Sequence, residues 1–261
     1  MRFGNALLRP LGAQVSGLAA ERNEDARLQQ LQQRGHWSRA RFANSFEWKT
    51  DFYKTFFDGV CLPFAESYSR LPLTAQAANG GYFLQNGWFE SVDAEVLYSV
   101  VRHFRPKAIV EVGSGNSTKL IRRAITDGSL DTTLTSIDPD PRAAVASFCD
   151  THVPSRVESL DPEFIASRLS AGDILFIDSS HVIRTGGDVP FLYLEVLPLL
   201  SDGVLLHAHD IFLPCDYPEN MVMQEKWGWT EQYLLQALLC GGDNYEVLWP
   251  SCLMWTEQRT F

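Results

Sequence analysis

The sequence predicts an α/β protein with a doubly wound, mostly parallel sheet of seven strands, preceded by an N-terminal helical and aromatic extension. Short apolar runs alternate with helix-length segments from residue 91 to about residue 255. A loop with two glycines follows the first apolar run, at a position where parallel sheets bind ligands. Residues 1–90 lack this alternation. We therefore predict an extension and candidate lid at 1–90 and a ligand-binding domain at 91–261.

The extension contains a polar helix and an aromatic-rich stretch. Residues 21–33 favour a helix in which Leu28 and Leu31 are among the few apolar points, so we expect a solvated or partner-bound helix. Residues 46–90 are rich in aromatic side chains. These rings could cover a pocket or pack against the core, and packing is the expected role for most of them.

The apolar pattern divides the rest of the chain into strands and helices. The predicted strands are 108–112, 134–137, 156–159, 174–177, 204–208, 245–249 and 252–255, and the last two reverse direction around Pro250. The predicted helices are 92–101, 117–125, 142–148, 162–169, 189–200 and 230–239. Asp161 is the expected N-cap of the helix that begins at Pro162.

The composition is acidic and argues against nucleic-acid binding. The chain carries 22 Lys and Arg against 32 Asp and Glu, a formal net charge of −10, so its average field repels a phosphate backbone. No apolar run approaches the ~18 residues of a membrane span. The five cysteines have no CxxC spacing, which argues against disulfides and structural zinc. We expect a cytosolic protein whose partner is a small molecule, not nucleic acid or membrane, with homo-oligomer formation left open.

The loop after the first strand has features of a nucleoside-binding site. Its polar and glycine positions are Glu111, Gly113, Ser114, Gly115, Asn116 and Ser117. The glycines let a ligand approach the backbone. Asp138 ends the second strand, where a carboxylate can accept hydrogen bonds from ribose hydroxyls. A tight turn without a ligand is the alternative.

Two features favour S-adenosylmethionine (SAM) over NAD as that ligand. Thr118 stands where the dinucleotide fingerprint needs a third glycine for close packing of helix and strand. Glu111 precedes the glycines, where its charge would repel a pyrophosphate but attract an amino-acid ammonium group.

The run 109–117 resembles motif I of class I SAM-dependent methyltransferases, and Asp138 matches their ribose-binding acid. The stretch from 91 to about 255 resembles their Rossmann-like fold. Segments 173–181, 207–214 and 229–235 resemble a bacterial subgroup often labelled methyltransferase type 24. The resemblance implies that Glu111 and residues 113–117 hold the methionine part of SAM. It also implies that Asp138 holds the ribose and that the segment around Ser159 lines the adenine.

Acids and histidines follow strands four and five, which face the transferred methyl group in this family. The arrangement is similar to that of catechol O-methyltransferase and metal-dependent sugar O-methyltransferases, which implies metal ligands at Asp178, His209 and Asp210. Asp178 would also border the cofactor. Magnesium, manganese, iron and zinc are the candidates, and because His209 stands where an oxygen ligand is usual, its imidazole favours manganese, iron or zinc over magnesium. In the alternative without metal, His181 or His209 hydrogen-bonds Asp178 and acts as the base, which makes these three residues the catalytic candidates.

We therefore predict a SAM-dependent methyltransferase that acts on a small molecule at oxygen, with a divalent metal as an option. Two alternatives stay open: other SAM chemistry, such as cyclisation or aminocarboxypropyl transfer, and a non-catalytic SAM-binding or partner-binding module. We expect Gly113→Val to abolish SAM binding with the fold largely intact. The aromatic segment 214–233 is a candidate cap over the acceptor, and simple packing of its side chains is the alternative. His207 is expected to be a hydrogen-bonded core histidine.

Overall fold

The computed structural model describes residue 10 and residues 18–141, 144–242 and 244–258. One parallel sheet has the strands β1 Ala108–Val112, β2 Thr133–Ile137, β3 Thr151–Val153, β4 Ile174–Ile177 and β5 Leu205–Ala208. Their order across the sheet is β3-β2-β1-β4-β5. Because β2 and β4 both pair with β1, the order reverses beside β1, and ligands of open α/β sheets bind at such a switch point.

Helices flank the sheet on both faces. The α-helices are α1 Leu18–Gln33, α2 Thr50–Phe56, α3 Ala65–Tyr68, α4 Ala75–Ala78, α5 Asp93–Phe104, α6 Asn116–Asp127, α7 Pro162–Ala166, α8 Asp188–Phe191, α9 Glu231–Cys240 and α10 Ser251–Gln258. Short 3-10 or π turns cover His36–Ser38, Phe57–Cys61, Leu62–Phe64, Val157–Ser159, Leu192–Val196, Leu197–Leu199 and Met221–Glu225. Residues 188–199 thus form one helical stretch, as the sequence predicts, and Asp161 caps α7 by accepting from the Glu163 amide.

Two apolar cores lie on opposite faces of the sheet. Ile109 packs with α5 and α6 on one face, whereas Val110 packs with α7 and the 188–199 stretch on the other. Successive strand residues point to opposite faces, so an apolar residue at both positions indicates a sheet covered on both sides. Each fully buried Val or Ile contributes about 1.5–3 kcal/mol. The predicted doubly wound α/β architecture is therefore confirmed for the parallel sheet.

The third strand lies earlier than the sequence predicts. β3 is Thr151–Val153 and pairs Thr135 with Thr151, while residues 157–159 form a 3-10 turn instead of the strand predicted at 156–159. β3 is an edge strand with exposed or half-buried side chains, so it lacks the apolar run that marks the central strands. Pro154 follows β3 directly and has no amide hydrogen for a further ladder bond.

The two closing strands predicted at 245–249 and 252–255 are absent from the described residues. Residues 244–250 have no regular structure, and α10 begins at Ser251. Leu253 and Met254 pack against Tyr53 of the extension, not against a strand, so this apolar segment is a helix that binds the extension. The sheet has five strands in the described part of the chain, and the prediction of seven is wrong.

The prediction of a helix at 142–148 is also wrong for residues 144–148, which the structure describes. Residues 142 and 143 lie outside the described residues, and residues 144–148 contain only a turn closed by the Phe148 amide on the Val145 carbonyl. No helix in the described ranges is both long and apolar enough to cross a membrane. The cytosolic location stays a prediction.

Residues of the predicted extension pack against the rest of the chain. Tyr53, Tyr82 and Phe89 are buried, as expected for rings with a packing role. Helix α1 and the turn after it contact the segment that follows β5. Trp37 Nε1 donates to the Tyr217 carbonyl at 2.8 Å, and His36 Nε2 lies 2.7 Å from Asp216 Oδ2. The expected polar helix therefore lies against the segment predicted to cap the acceptor.

Candidate active site

The glycine loop, residues 113–115, joins β1 to α6 and contacts the end of β4. Gly113 has φ 81°, and a Cβ built on it would lie 1.8 Å from the carbonyl oxygen of Asp178. Only glycine fits there, because any side chain would strike the backbone of β4. The structure thus corrects the expectation for Gly113→Val, since the space belongs to the protein, not to a ligand. The Cβ position of Gly115 has no atom within 4 Å, so that side of the loop is open.

Asp138 lies against the glycine loop at the end of β2. One of its oxygens accepts from the Ser114 amide at 2.8 Å, and the other accepts from the Asp140 amide at 2.8 Å. The hydroxyls of Ser114 and Ser136 hydrogen-bond beneath it. A carboxylate has about four lone-pair sites, so each Asp138 oxygen can accept one more hydrogen bond. The predicted loop residues and Asp138 are therefore brought together with acceptor capacity to spare.

Glu111 is fully buried behind the loop. Its two oxygens accept from the hydroxyls of Ser117 at 2.7 Å and Thr118 at 2.6 Å, both in the first turn of α6. Burial raises the pKa of Glu111 to about 8, although the two hydroxyls oppose that rise. The carboxyl group thus anchors the start of α6, and its direct contact with the methionine part of SAM stays a prediction.

Two other predicted cofactor residues differ in position. Asn116 donates through Nδ2 to Asn86 Oδ1 at 3.0 Å, so the loop that precedes Phe89 lies beside the glycine loop. Ser159 is exposed, and its hydroxyl donates to the Arg156 carbonyl within the 3-10 turn. None of the contacts described for Ser159 joins it to the glycine loop, and its adenine role stays a prediction.

Four predicted residues form one group at the carboxyl ends of β4 and β5, which we call the acid–histidine cluster: Asp178, His181, His209 and Asp210. His181 Nε2 lies 3.2 Å from Asp178 Oδ1 and 3.6 Å from Asp210 Oδ2. His209 Nδ1 lies 3.6 Å and 3.4 Å from the same two oxygens. The two imidazoles thus approach the same pair of carboxylates.

The strand ends produce this convergence through the backbone. The Asp178 amide donates to the Val112 carbonyl at 2.9 Å, and the His209 amide donates to the Ile177 carbonyl at 2.9 Å, so β1, β4 and β5 end together. His181 and Asp210 have positive φ angles of 60° and 56°. Left-handed backbone at non-glycine residues is uncommon and is concentrated at functional sites. The cluster is also adjacent to the glycine loop, since Gly113 abuts the Asp178 backbone.

His181 is held from its other side by Glu231 at the start of α9. His181 Nδ1 lies 2.8 Å from Glu231 Oε2, and Trp229 lies with its ring centroid 4.2 Å from the imidazole. Phe89 covers His209 at a centroid distance of 4.8 Å, and Asp93 Oδ2 lies 3.8 Å from His209 Nε2. The sequence gave no role in the site to Glu231 or Asp93, and it placed Phe89 only among the aromatic residues of 46–90 that are expected to pack or to cover a pocket. The signal for Glu231 was that segment 229–235 resembles the methyltransferase type 24 subgroup.

The cluster strongly shifts its own ionisation. Burial by itself would raise the pKa of Asp178, but the neighbouring imidazoles of His181 and His209 hold it well below its usual range. Burial would lower the pKa of His181, but Asp178 and Glu231 raise it to about 9. The pKa of His209 is raised well above its usual value by Asp178 and Asp210 despite burial. The carboxylates therefore favour positive charge within the cluster.

His207 behaves differently from its neighbours. Burial, with a contribution from the charge of His209, lowers the pKa of His207 to about 3, and its ring stacks on Phe176 at 4.4 Å. A neutral histidine packed on an aromatic ring agrees with the expected core role.

The donor set fits a divalent cation. Asp178, His181 and Asp210 each offer a ligand atom, and these atoms all lie within 4.8 Å of one another. His209 Nδ1 is buried without a hydrogen-bond partner, although it faces both carboxylates. A buried polar atom without a partner is costly, and a cation between the carboxylates would satisfy it. His181 is therefore a further candidate ligand beside Asp178 and Asp210, whereas His209, which the sequence suggested, does not belong to that group.

The comparisons with known proteins agree with this geometry. Residues 110–211 match the Methyltransf_24 family model, which describes a methyltransferase domain. The matched residues extend from β1 to just beyond β5 and include the glycine loop, Asp138 and the acid–histidine cluster. Glu231 lies outside them. No curated protein and no solved structure matches the chain.

Proposed function

We propose that the protein transfers a methyl group from SAM to an oxygen of a small-molecule acceptor, with assistance from a divalent cation, on the basis of the methyltransferase domain that residues 110–211 match. The observation that carries the proposal is the contact between the glycine loop and the end of β4. Gly113 abuts the Asp178 backbone, so a ligand on the loop lies beside the acid–histidine cluster. A methyl donor and groups that can activate an acceptor oxygen would then be neighbours.

The glycine loop and Asp138 are the proposed cofactor-binding residues. SAM supplies an electrophilic methyl group on a sulfonium. The free acceptor sites of Asp138 suit two ribose hydroxyls, and the open side of Gly115 leaves space for the methionine part. Positioning is the main task of the protein in such a transfer, because a well-held pair of reactants avoids much of the entropic barrier.

The acid–histidine cluster is the proposed acceptor site. A divalent cation there would bind the acceptor oxygen and lower its pKa. Asp178, Asp210, His181 and His209 would hold the cation, and Phe89 and Trp229 exclude water on two sides of the imidazoles. A low dielectric strengthens each charged contact in the site. In the alternative without metal, a histidine of the cluster takes the proton of the acceptor hydroxyl.

Product analysis with labelled SAM tests the reaction. The purified protein, incubated with methyl-labelled SAM and a small-molecule extract, should yield a product that carries the label and release S-adenosylhomocysteine. Labelled methylthioadenosine in place of S-adenosylhomocysteine, with no label on an acceptor, would indicate aminocarboxypropyl transfer or a related SAM chemistry. SAM binding without any product would favour a binding module. Asp210→Asn is the matched variant, because it keeps the size of the side chain but removes its charge, and it should lose turnover while it retains SAM binding.

Chelation tests the cation. After EDTA treatment we expect loss of methyl transfer, restored by magnesium, manganese, iron or zinc, and His209→Ala should bind less metal by elemental analysis while its SAM affinity is unchanged. Full activity in chelator, with no metal by elemental analysis, would exclude the cation and leave the histidine base.

A further inference from the structure

We propose that Glu231 is a positioning residue that fixes the His181 imidazole so that Nε2 faces the two carboxylates of the acid–histidine cluster. The inference rests on the proposed function only in taking that cluster as the reaction site. Glu231 lies outside residues 110–211, which match the family model. It is the first residue of α9.

Both carboxylate oxygens of Glu231 are used, although the side chain is fully buried. Oε2 accepts from His181 Nδ1 at 2.8 Å, and Oε1 accepts from the Tyr193 hydroxyl at 2.9 Å. A buried carboxylate is unfavourable unless it is paired and hydrogen-bonded. An apolar side chain would fill this space without the free-energy cost of a buried charge. We therefore attribute the carboxylate at this position to its hydrogen bond with His181.

The main chain of the same segment holds His181 a second time. The His181 carbonyl accepts from the amides of Thr230 at 2.8 Å and Glu231 at 3.0 Å. The Thr230 hydroxyl accepts from the Ile183 amide at 2.7 Å. His181 has positive φ, and these bonds hold it in that uncommon conformation. The segment 229–231 therefore controls both the backbone and the ring of His181.

The segment is also tied to the loop after β5. Gln232 accepts from the Phe212 amide at 3.0 Å, and its own amide donates to the Tyr217 hydroxyl at 3.0 Å. Phe212 follows Asp210 by two positions. The start of α9 thus connects the two strand ends that supply the cluster.

The hydrogen bond to Glu231 determines which nitrogen of His181 is available. Because a carboxylate only accepts, Nδ1 must carry a hydrogen, and Nε2 is left to face Asp178 and Asp210 at 3.2 Å and 3.6 Å. With a cation in the cluster, Nε2 presents its lone pair. Without one, Nε2 donates to the carboxylates. A carboxylate behind a ligand histidine commonly contributes 10–100-fold, or about 1.4–2.8 kcal/mol, to metal affinity.

The test combines Glu231→Gln with the matched control Tyr193→Phe, which removes the other hydrogen bond of the same carboxylate and leaves His181 untouched. Manganese binding to the full chain is measured by calorimetry. We expect the dissociation constant for manganese to rise at least tenfold in Glu231→Gln and to change much less in Tyr193→Phe. SAM affinity should be unchanged in both, because the hydrogen bonds of the Glu231 carboxylate go to His181 and Tyr193 and not to the glycine loop.

Proton NMR of the wild-type protein and both variants gives a readout that needs neither metal nor activity. The wild type should show a downfield, slowly exchanging Nδ1–H signal, assigned by its loss in His181→Asn. Glu231→Gln should lose or strongly shift this signal, and Tyr193→Phe should keep it. A wild type without the signal would overturn the inference, even if Glu231→Gln fails to fold. So would a folded Glu231→Gln with unchanged signal and manganese affinity. Absence of manganese binding in the wild type, with the signal present, would reject the cation but support the positioning role.

Discussion

At the scale of single residues, Gly113 and Gly115 stand two positions apart but meet different surroundings. Gly113 faces the backbone of β4, and Gly115 faces open space. Glycine is therefore required at position 113 because β4 leaves no space for a side chain, whereas Gly115 leaves space for a ligand. Asp138 also combines two tasks, because it accepts hydrogen bonds from the loop and has acceptor sites left.

Alanine at the two glycines separates these roles. Gly113→Ala should destabilise the fold, because its Cβ would lie 1.8 Å from the Asp178 carbonyl oxygen and its φ is positive. Each 1 kcal/mol lost lowers Tm by about 2–4 °C in a chain of this size. Gly115→Ala should keep the wild-type Tm but weaken SAM binding. Thermal unfolding and calorimetry measure both. If Gly115→Ala binds SAM normally, the loop is only a turn.

Asp138→Ala should weaken SAM binding by about 1.5–3 kcal/mol, because it removes a charged acceptor for the ribose hydroxyls. The change corresponds to a rise in Kd of roughly 10- to 150-fold at 1.4 kcal/mol per tenfold. Asp140→Ala is the control, since its exposed side chain lies next to the site and only its amide contacts Asp138. If calorimetry shows the same SAM affinity in Asp138→Ala as in the wild type, Asp138 does not bind the ribose. If the wild type binds NADH as strongly as SAM, SAM is not the specific cofactor.

At the scale of elements, the end of the chain shows how one apolar segment can serve either secondary structure. Residues 252–255 read as a strand by their apolar character, but they lie in α10, where the adjacent residues Leu253 and Met254 are both buried. A strand would turn them to opposite faces. Their partner is Tyr53 in a small cluster with Trp48 and Trp249, so the extension decides the conformation.

Leu253→Ala should lower the free energy of unfolding by about 2–4 kcal/mol, because it removes buried methyl groups and leaves a cavity. Leu199→Ala is the matched control, since Leu199 is 45% exposed and Leu253 is 9% exposed. Urea denaturation of both variants measures the difference. Equal losses in the two variants would mean that α10 does not pack on the extension as described.

At the scale of the whole molecule, Glu111 couples folding to pH. Its pKa is raised from 4.5 to about 8 mainly by burial, so the folded protein keeps a proton that the unfolded chain has lost. The contribution of Glu111 to the stability of the folded state is therefore greatest below pH 4.5, and it is lost as the pH rises towards 8. The division of the chain at residue 90 stays a prediction at this scale.

The wild type should therefore lose stability as pH rises through the window from 4.5 to 8. Glu111→Gln, which cannot ionise and keeps a hydrogen-bonding group near Ser117 and Thr118, should show a flatter profile in this window. Asp131→Asn replaces an exposed acid and should follow the wild type. Tm measured against pH gives all three profiles. Identical slopes in Glu111→Gln and the wild type would contradict the buried proton.

The sequence by itself determined the central strands, the glycine loop, Asp138 and the acids and histidines at the strand ends. These features depend on neighbours in sequence: apolar runs make buried strands, and parallel strands deliver their last residues to one edge. Only the tertiary structure decided the position of β3, the helix at 251–258 and the pairing of His181 with Glu231. An edge strand buries too little to show an apolar pattern, and local propensity does not report a contact between residues fifty positions apart. The contact between His181 and Glu231 forms only when α9 packs against the sheet. That packing buries the Glu231 carboxylate beside His181, and a buried charge needs a partner.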